Sequence, residues 1–90
     1  MEDSSIVDLY LARDERAICE TDGKYGKKLY SISRRITENG ADAEECVSDT
    51  YLDAWNRIPP HEPRAYLFAF LARIVRTASI DLCRKNTRQK

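Results

Sequence analysis

Glycine and proline are scarce, with three of each in the 90 residues. That is too few for the turns of an all-β sandwich, a collagen-like repeat or a low-complexity linker. Histidine is rarer still. His61 has no adjacent cysteine or second histidine, and Cys19, Cys46 and Cys83 are odd in number and far apart. They form neither a CxxC pair nor a complete disulfide set, so no metal or other cofactor is expected and the cysteines read as small buried hydrophobes. No apolar run approaches the roughly eighteen residues that cross a bilayer, and Met1-Glu2-Asp3 is acidic where a secretory signal is basic. A cytoplasmic location with no membrane partner is the expectation. Catalysis is also excluded at this level, because a nucleophile needs a base within reach and His61 lies in a proline-rich stretch with no serine or cysteine beside it. Gly23-Lys24-Tyr25-Gly26-Lys27-Lys28 looks superficially like a phosphate loop, but its glycines are too close and no Ser or Thr follows the lysine.

What is present suits one small helical domain. The chain is 42% apolar and 33% charged, and a domain of this size buries only about 60% of its unfolded surface, enough for a single modest core. The net charge of zero hides a segregation. Residues 1–22 carry seven acids and two bases (−5), 23–36 five bases (+5), 37–62 seven acids and one base (−6), and 63–90 seven bases and one acid (+6). Such blocks suit a protein that meets a basic partner on one face and a phosphate backbone on another. They suit equally a bundle whose helices neutralise each other.

Asp3-Ser4-Ser5 offers N-caps for a short helix carrying Ile6, Val7, Leu9, Tyr10 and Leu11, which stops near Arg13-Asp14. From about Glu15 the positions Ala17, Ile18, Tyr25, Leu29, Ile32 and Ile36 return at helical spacing, with Asp22-Gly23 a point of weakness. Thr37-Glu38-Asn39-Gly40 ends that helix, since Asn and Gly accept left-handed backbone. Asp42 reads as the next N-cap, with Glu45 in the capping-box position. The third helix turns Ala43, Cys46 or Val47, Tyr51, Ala54, Trp55 and Ile58 inward, and Glu45, Asp49 and Asp53 form an acidic stripe beside which Leu52 sits off the apolar face. Pro59-Pro60-His61-Glu62-Pro63 forbids continuation, and Pro63 is placed to open a fourth helix. That helix repeats Leu67, Phe70, Leu71, Ile74, Ala78 and Leu82 on its core side and carries Arg64, Arg73, Arg76, Thr77, Arg84 and Lys85 elsewhere, with Tyr66 and Phe68 as extra aromatic surface. Basic side chains interleaved with rings suit unstacked nucleic acid, and suit equally a solvated cationic face with two partly buried rings.

Three segments carry a family resemblance. Asp42-Ala43-Glu44-Glu45-Cys46-Val47-Ser48-Asp49-Thr50-Tyr51-Leu52-Asp53-Ala54-Trp55 resembles the second conserved region of extracytoplasmic-function sigma factors. Leu71 through Lys85 resembles their promoter-reading helix, and Tyr25 through Ile36 is similar to the segment that precedes both. The resemblance implies an all-α, compact three- to four-helix sigma region two domain over residues 1–85. It also implies that 86–90 start an interdomain linker and that the region four domain is absent, as in a fragment of a longer factor. It further implies a transcription-initiation module in which Glu44, Glu45, Ser48, Asp49 and Leu52 bind the largest-subunit clamp helices of the bacterial RNA polymerase core. Arg64, Tyr66, Phe68, Arg73, Arg76, Thr77 and Arg84 are implied to hold the non-template single strand of the minus-ten promoter DNA and an extruded base. An anti-sigma factor is a candidate further partner.

The chain departs from the family pattern at two positions. Ser48 stands where a glutamine is usual and Thr77 where an asparagine is usual, and the second change replaces a donor–acceptor amide by one hydroxyl and a methyl. Asp81, the lone acid of its block, is expected to orient a neighbouring arginine. The rival readings are a helical protein-interaction adaptor without DNA binding and a helix-turn-helix domain, whose short turn the three-proline loop does not suit.

Overall fold

The protein is described by a computed structural model covering the backbone of residues 1–88, with side chains through residue 86. Four helices follow in order: α1 (Asp3–Leu11), α2 (Arg16–Thr37), α3 (Gly40–Arg57) and α4 (Leu67–Arg88). Among the described residues there is no strand.

Helix α1 buries Ile6, Val7 and Tyr10 completely, the i, i+1, i+4 set that forms one apolar side of a short helix. The Tyr10 phenol meets Thr21 Oγ1 at 2.7 Å. Because the threonine hydroxyl donates to the Ala17 carbonyl at 2.7 Å, the phenol is the donor, and the burial that encloses it pushes its pKa up. Arg13 turns the chain with a left-handed φ of 57°. Asp14 then accepts from the Arg16 backbone N–H at 3.0 Å, which supplies a partner for one of the orphan donors of the first turn of α2. The side-chain hydrogen bond from Arg16 holds the Asp14 carboxyl below its ordinary range.

Helix α2 runs unbroken through Asp22-Gly23. Buried Gly26 has a packing reason: a Cβ there would meet Asp22 Oδ1 at 2.5 Å, and that carboxylate accepts the Tyr51 hydroxyl of α3 at 2.7 Å. The end of α2 corrects the sequence reading. Glu38, not Asn or Gly, takes the left-handed conformation at φ 56°, and its N–H closes on the Arg34 carbonyl. Asn39 is thereby free to adopt extended backbone and cap α3, its side chain accepting from the Asp42 N–H at 3.0 Å. Asp42 is therefore in the first turn of α3 and not its N-cap, because the Asn39 amide oxygen already does that work three residues earlier.

The C-terminus of α3 is held by Arg13. Its Nη1 donates to the carbonyls of Trp55 at 2.8 Å and Ile58 at 2.7 Å, and its guanidinium stacks 4.0 Å from the Trp55 ring centre. A cation on the last carbonyls of a helix meets both their hydrogen-bonding need and the dipole. The loop that follows buries Pro63 instead of opening α4 with it. A turn at Arg64-Ala65, closed by the Tyr66 N–H on the Pro63 carbonyl at 3.3 Å, delays the helix until Leu67, and the first helical bond runs from the Phe70 N–H to the Tyr66 carbonyl at 2.9 Å.

Helix α4 packs against α2 and α3 along Leu67, Leu71, Ile74 and Val75. Contacts of Tyr25 with Phe68, Ser33 with Ser79, and Ile36 with Cys83 advance together along both helices, so α2 and α4 are parallel. Ser79 donates to the Val75 carbonyl, so the buried Ser33 hydroxyl donates to Ser79. Of the cysteines only Cys46 is buried; Cys83 is intermediate and Cys19 exposed, because its place on α2 faces away from the other helices. Thr50 is fully buried and donates to the Cys46 carbonyl, an inward position that its polarity concealed. α4 continues through Arg88, so residues 86–88, where a linker is expected, are helical; 89 and 90 lie outside the described residues.

Two outcomes check this packing. Leu71→Ala should cost about 2–5 kcal/mol as a buried truncation, read from denaturant unfolding, with helical circular dichroism retained before the transition. The second concerns Asp3, whose carboxyl accepts from Lys24 at 2.7 Å and Tyr25 at 2.8 Å. Burial pushes its pKa up, but the two hydrogen bonds and the Lys24 charge outweigh it and leave the value below the ordinary 3.8. A depressed carboxylate contributes stability that is present above the unfolded pKa and lost as pH falls through the folded one. Asp3→Asn should therefore flatten the acid limb of the stability profile below about pH 4, where wild type keeps falling.

Candidate nucleic-acid and polymerase interface

Helix α3 presents Glu44, Glu45, Ser48, Asp49 and Leu52 to solvent together, as their i, i+1, i+4, i+5 and i+8 spacing requires. Leu52 is 59% exposed, a large apolar side chain left outside the core on an acidic surface. Asp53 is neutralised within the helix by Arg57 at 3.3 Å. Among the described residues Glu44, Glu45 and Asp49 form no ion pair.

Antiparallel α3 and α4 leave between them an open groove of about 970 Å³, lined in part by Asp49, Leu52, Tyr66, Phe70, Arg73 and Thr77. Tyr66, in the loop that enters α4, is 53% exposed. His61 lies at the same groove with its ring 5.9 Å from that of Phe70. The groove thus offers a ring face, a hydroxyl and a guanidinium from the α4 wall, which also carries Asp81, and carboxylates from the α3 wall.

The seven residues expected to hold DNA separate into three places. Tyr66, Arg73 and Thr77 line the groove, and exposed Arg84 continues the line seven residues beyond Thr77. Phe68 and Arg76 belong to the opposite flank of α4. The Phe68 ring sits 5.1 Å from that of Tyr25, half-buried, with Lys28 Nζ 5.6 Å from its centre. Arg76 is in helical register with Phe68, Ser79 and Cys83, the α4 residues that touch α2. Arg64 is engaged elsewhere: it donates to the Ser4 carbonyl and hydroxyl at 3.0 and 2.9 Å. It also pairs with Asp8 at 2.7 Å and Glu62 at 3.3 Å, and the hydrogen bond to Asp8 raises its pKa. Its guanidinium ties the proline-rich loop to α1.

Asp81 lines the groove and forms no ion pair among the described residues, so it does not orient an arginine as expected. Sequence reasoning missed Asn56 and Asp81 as groove residues and counted Phe70 only as core. The signal that finds them is not local, because it arises only when the ends of α3 and α4 are laid antiparallel across the loop.

The family model described as Sigma-70 region 2 matches residues 23–89, and the chain belongs to that family. Neither a curated protein nor a solved structure matches it. Membership gives a function of the RNA polymerase sigma-factor type, with the polymerase core and promoter DNA as partners, and the family is not an enzyme family. Among the described residues no helix is long and apolar enough to cross a membrane.

Because Arg64 is committed to α1, Arg64→Ala should lower the thermal midpoint of the domain while leaving the salt dependence of DNA binding unchanged. Thermal unfolding and a salt titration of DNA affinity check both halves.

Proposed function

We propose that the protein is a sigma factor of the extracytoplasmic-function type whose residues 1–85 act as one core-binding and minus-ten-recognition unit. In this reading α3 docks on the clamp helices of the polymerase through Glu44, Glu45, Ser48, Asp49 and Leu52. The single observation that carries it is Leu52, exposed beside Glu45 and Asp49, carboxylates that form no ion pair among the described residues. An apolar side chain set among unpaired charges of one sign matches a basic helical partner: the leucine supplies area removed from water, and the acids supply steering and register.

The groove wall of α4 then receives the non-template strand. Tyr66 offers a stacking face, Arg73 and Arg84 neutralise phosphates, and the Thr77 hydroxyl hydrogen-bonds the edge of an extruded base. Stacking on one ring is worth about 1–3 kcal/mol, comparable to the few kcal/mol that unstacking a base costs. The domain alone therefore holds a strand that is already open, and duplex opening awaits the polymerase. Asp49 and Leu52 line the same groove, so the polymerase-bound helix forms the far wall of the strand's path.

Asp49→Lys should abolish or strongly weaken binding to the isolated clamp-helix fragment, and Leu52→Ala should weaken it at every salt concentration. The fold is retained in both, since an exposed helix charge rarely changes stability by more than about 0.5 kcal/mol. Unchanged affinity in both variants removes α3 from the interface.

A further inference from the structure

The family match and the groove leave one strongly charged surface without a role. Between Gly23 and Ile36 helix α2 has five bases and no acid. Lys24 is tied to Asp3 at 2.7 Å. Among the described residues, no carboxylate pairs with Lys27, Lys28, Arg34 or Arg35, nor with Arg76 of α4. All five are exposed.

Their placement is regular. Lys28 and Arg35 lie seven residues apart, two turns along one face, and Lys28 is over Phe68, so that face borders α4. Lys27 and Arg34 repeat the same interval one residue earlier. Across the seam, Arg76 stands on the flank of α4 that carries Phe68, Ser79 and Cys83. The result is two parallel helices whose shared outer surface is cationic along about 10 Å of axis, on the flank of α4 opposite the groove.

This surface differs from the groove in chemistry as well as sign. The ring at its seam, Phe68, is covered by Tyr25 and Lys28, and Tyr30 and Glu38 lie beside Lys27, Arg34 and Arg35 on α2. Five cations against one carboxylate favour contact with phosphates, which position a protein on nucleic acid without reading its sequence. Both rows, Lys27 with Arg34 and Lys28 with Arg35, run along α2, and α4 adds the single cation Arg76 across the seam, so the surface is a strip of positive charge suited to a phosphate backbone. An interval of 10 Å covers about three phosphates of one strand at 3.4 Å each.

We infer that the outer surface of α2 and α4, formed by Lys27, Lys28, Arg34, Arg35 and Arg76, is a second nucleic-acid site that tracks the phosphate backbone of double-stranded DNA. The groove takes the open strand and this surface takes paired DNA beside it. The inference rests on the sigma-factor reading only for the presence of DNA, and its geometry does not depend on how the groove is used.

The test uses the 90-residue chain, wild type and the double variant Lys28→Gln with Arg35→Gln, with fluorescence anisotropy followed from low salt upward. Glutamine keeps the aliphatic cover over Phe68 and removes the charge, and matching thermal midpoints establish that the variant is folded. Three probes are compared: a single strand carrying a minus-ten element, a duplex of arbitrary sequence, and a fork joining paired to unpaired DNA. On duplex and fork the slope of log affinity against log salt should become shallower by about 0.9 for each charge removed. On the single strand it should not change. An unchanged slope on duplex and fork overturns the site, and an equal loss on all three probes overturns its assignment to paired DNA. A wild-type chain that shows no salt-dependent duplex binding also overturns it, in favour of an acidic protein partner. If wild type ignores the single strand and the variant still loses slope on the duplex, the groove reading fails while this one stands.

Discussion

Burial of a single stripe on α4 sets every exposed face of the domain. Leu67, Leu71, Ile74 and Val75 are at most 8% exposed, and α4 packs on both α2 and α3, which also pack on each other, so its stripe closes the three-helix core. Once that stripe is fixed, the 3.6-residue period decides the rest. One flank of α4 looks into the groove facing α3, and the other follows the parallel α2. Full burial of such side chains is worth about 1.5–3 kcal/mol each, which is what holds apart two surfaces of different chemistry on one helix.

Electrostatics follow from the same packing. The charge blocks allow either a self-neutralised bundle or a domain with opposed fields, and the ion pairs decide between them. Arg16 pairs with Asp14, Lys24 with Asp3, Arg57 with Asp53, and Arg64 with Asp8 and Glu62. Each closes within one helix, across one turn, or between α1 and its neighbours. None links the cations of 27–35 to the acids of α3. Those two fields remain available to partners, one for a basic protein surface and one for phosphate, and both suit a family whose members meet polymerase and promoter DNA.

The sequence made α2, α3 and the core side of α4 legible because their apolar positions recur at helical intervals and their ends carry turn residues. Leu52 was legible for the converse reason, as an apolar residue out of phase with its helix. The boundaries were less so. Asn39 and Asp42 are both good caps, and only the left-handed Glu38 selects between them. Pro63 has the right residue type for a helix start, but its burial in the loop and the hold of Arg64 on Ser4 and Asp8 postpone α4 by four residues. For the site, residue type identified the basic and aromatic content of α4, whereas its division into a groove flank and an α2 flank depends on which helix lies on which side. The contact of Lys28 with Phe68 joins positions forty residues apart, and no local pattern announces it.

On the proposed function, one small domain offers separate faces to polymerase and to the open strand, joined at a shared groove. Amide chemical-shift mapping of the labelled chain tests it most directly, with clamp-helix fragment added first and a single-stranded minus-ten oligonucleotide second. The fragment should shift resonances of residues 44–52, and the oligonucleotide should then shift those around Tyr66, Arg73 and Thr77. Perturbation by both ligands confined to the same residues, or by the fragment along α2, would contradict it.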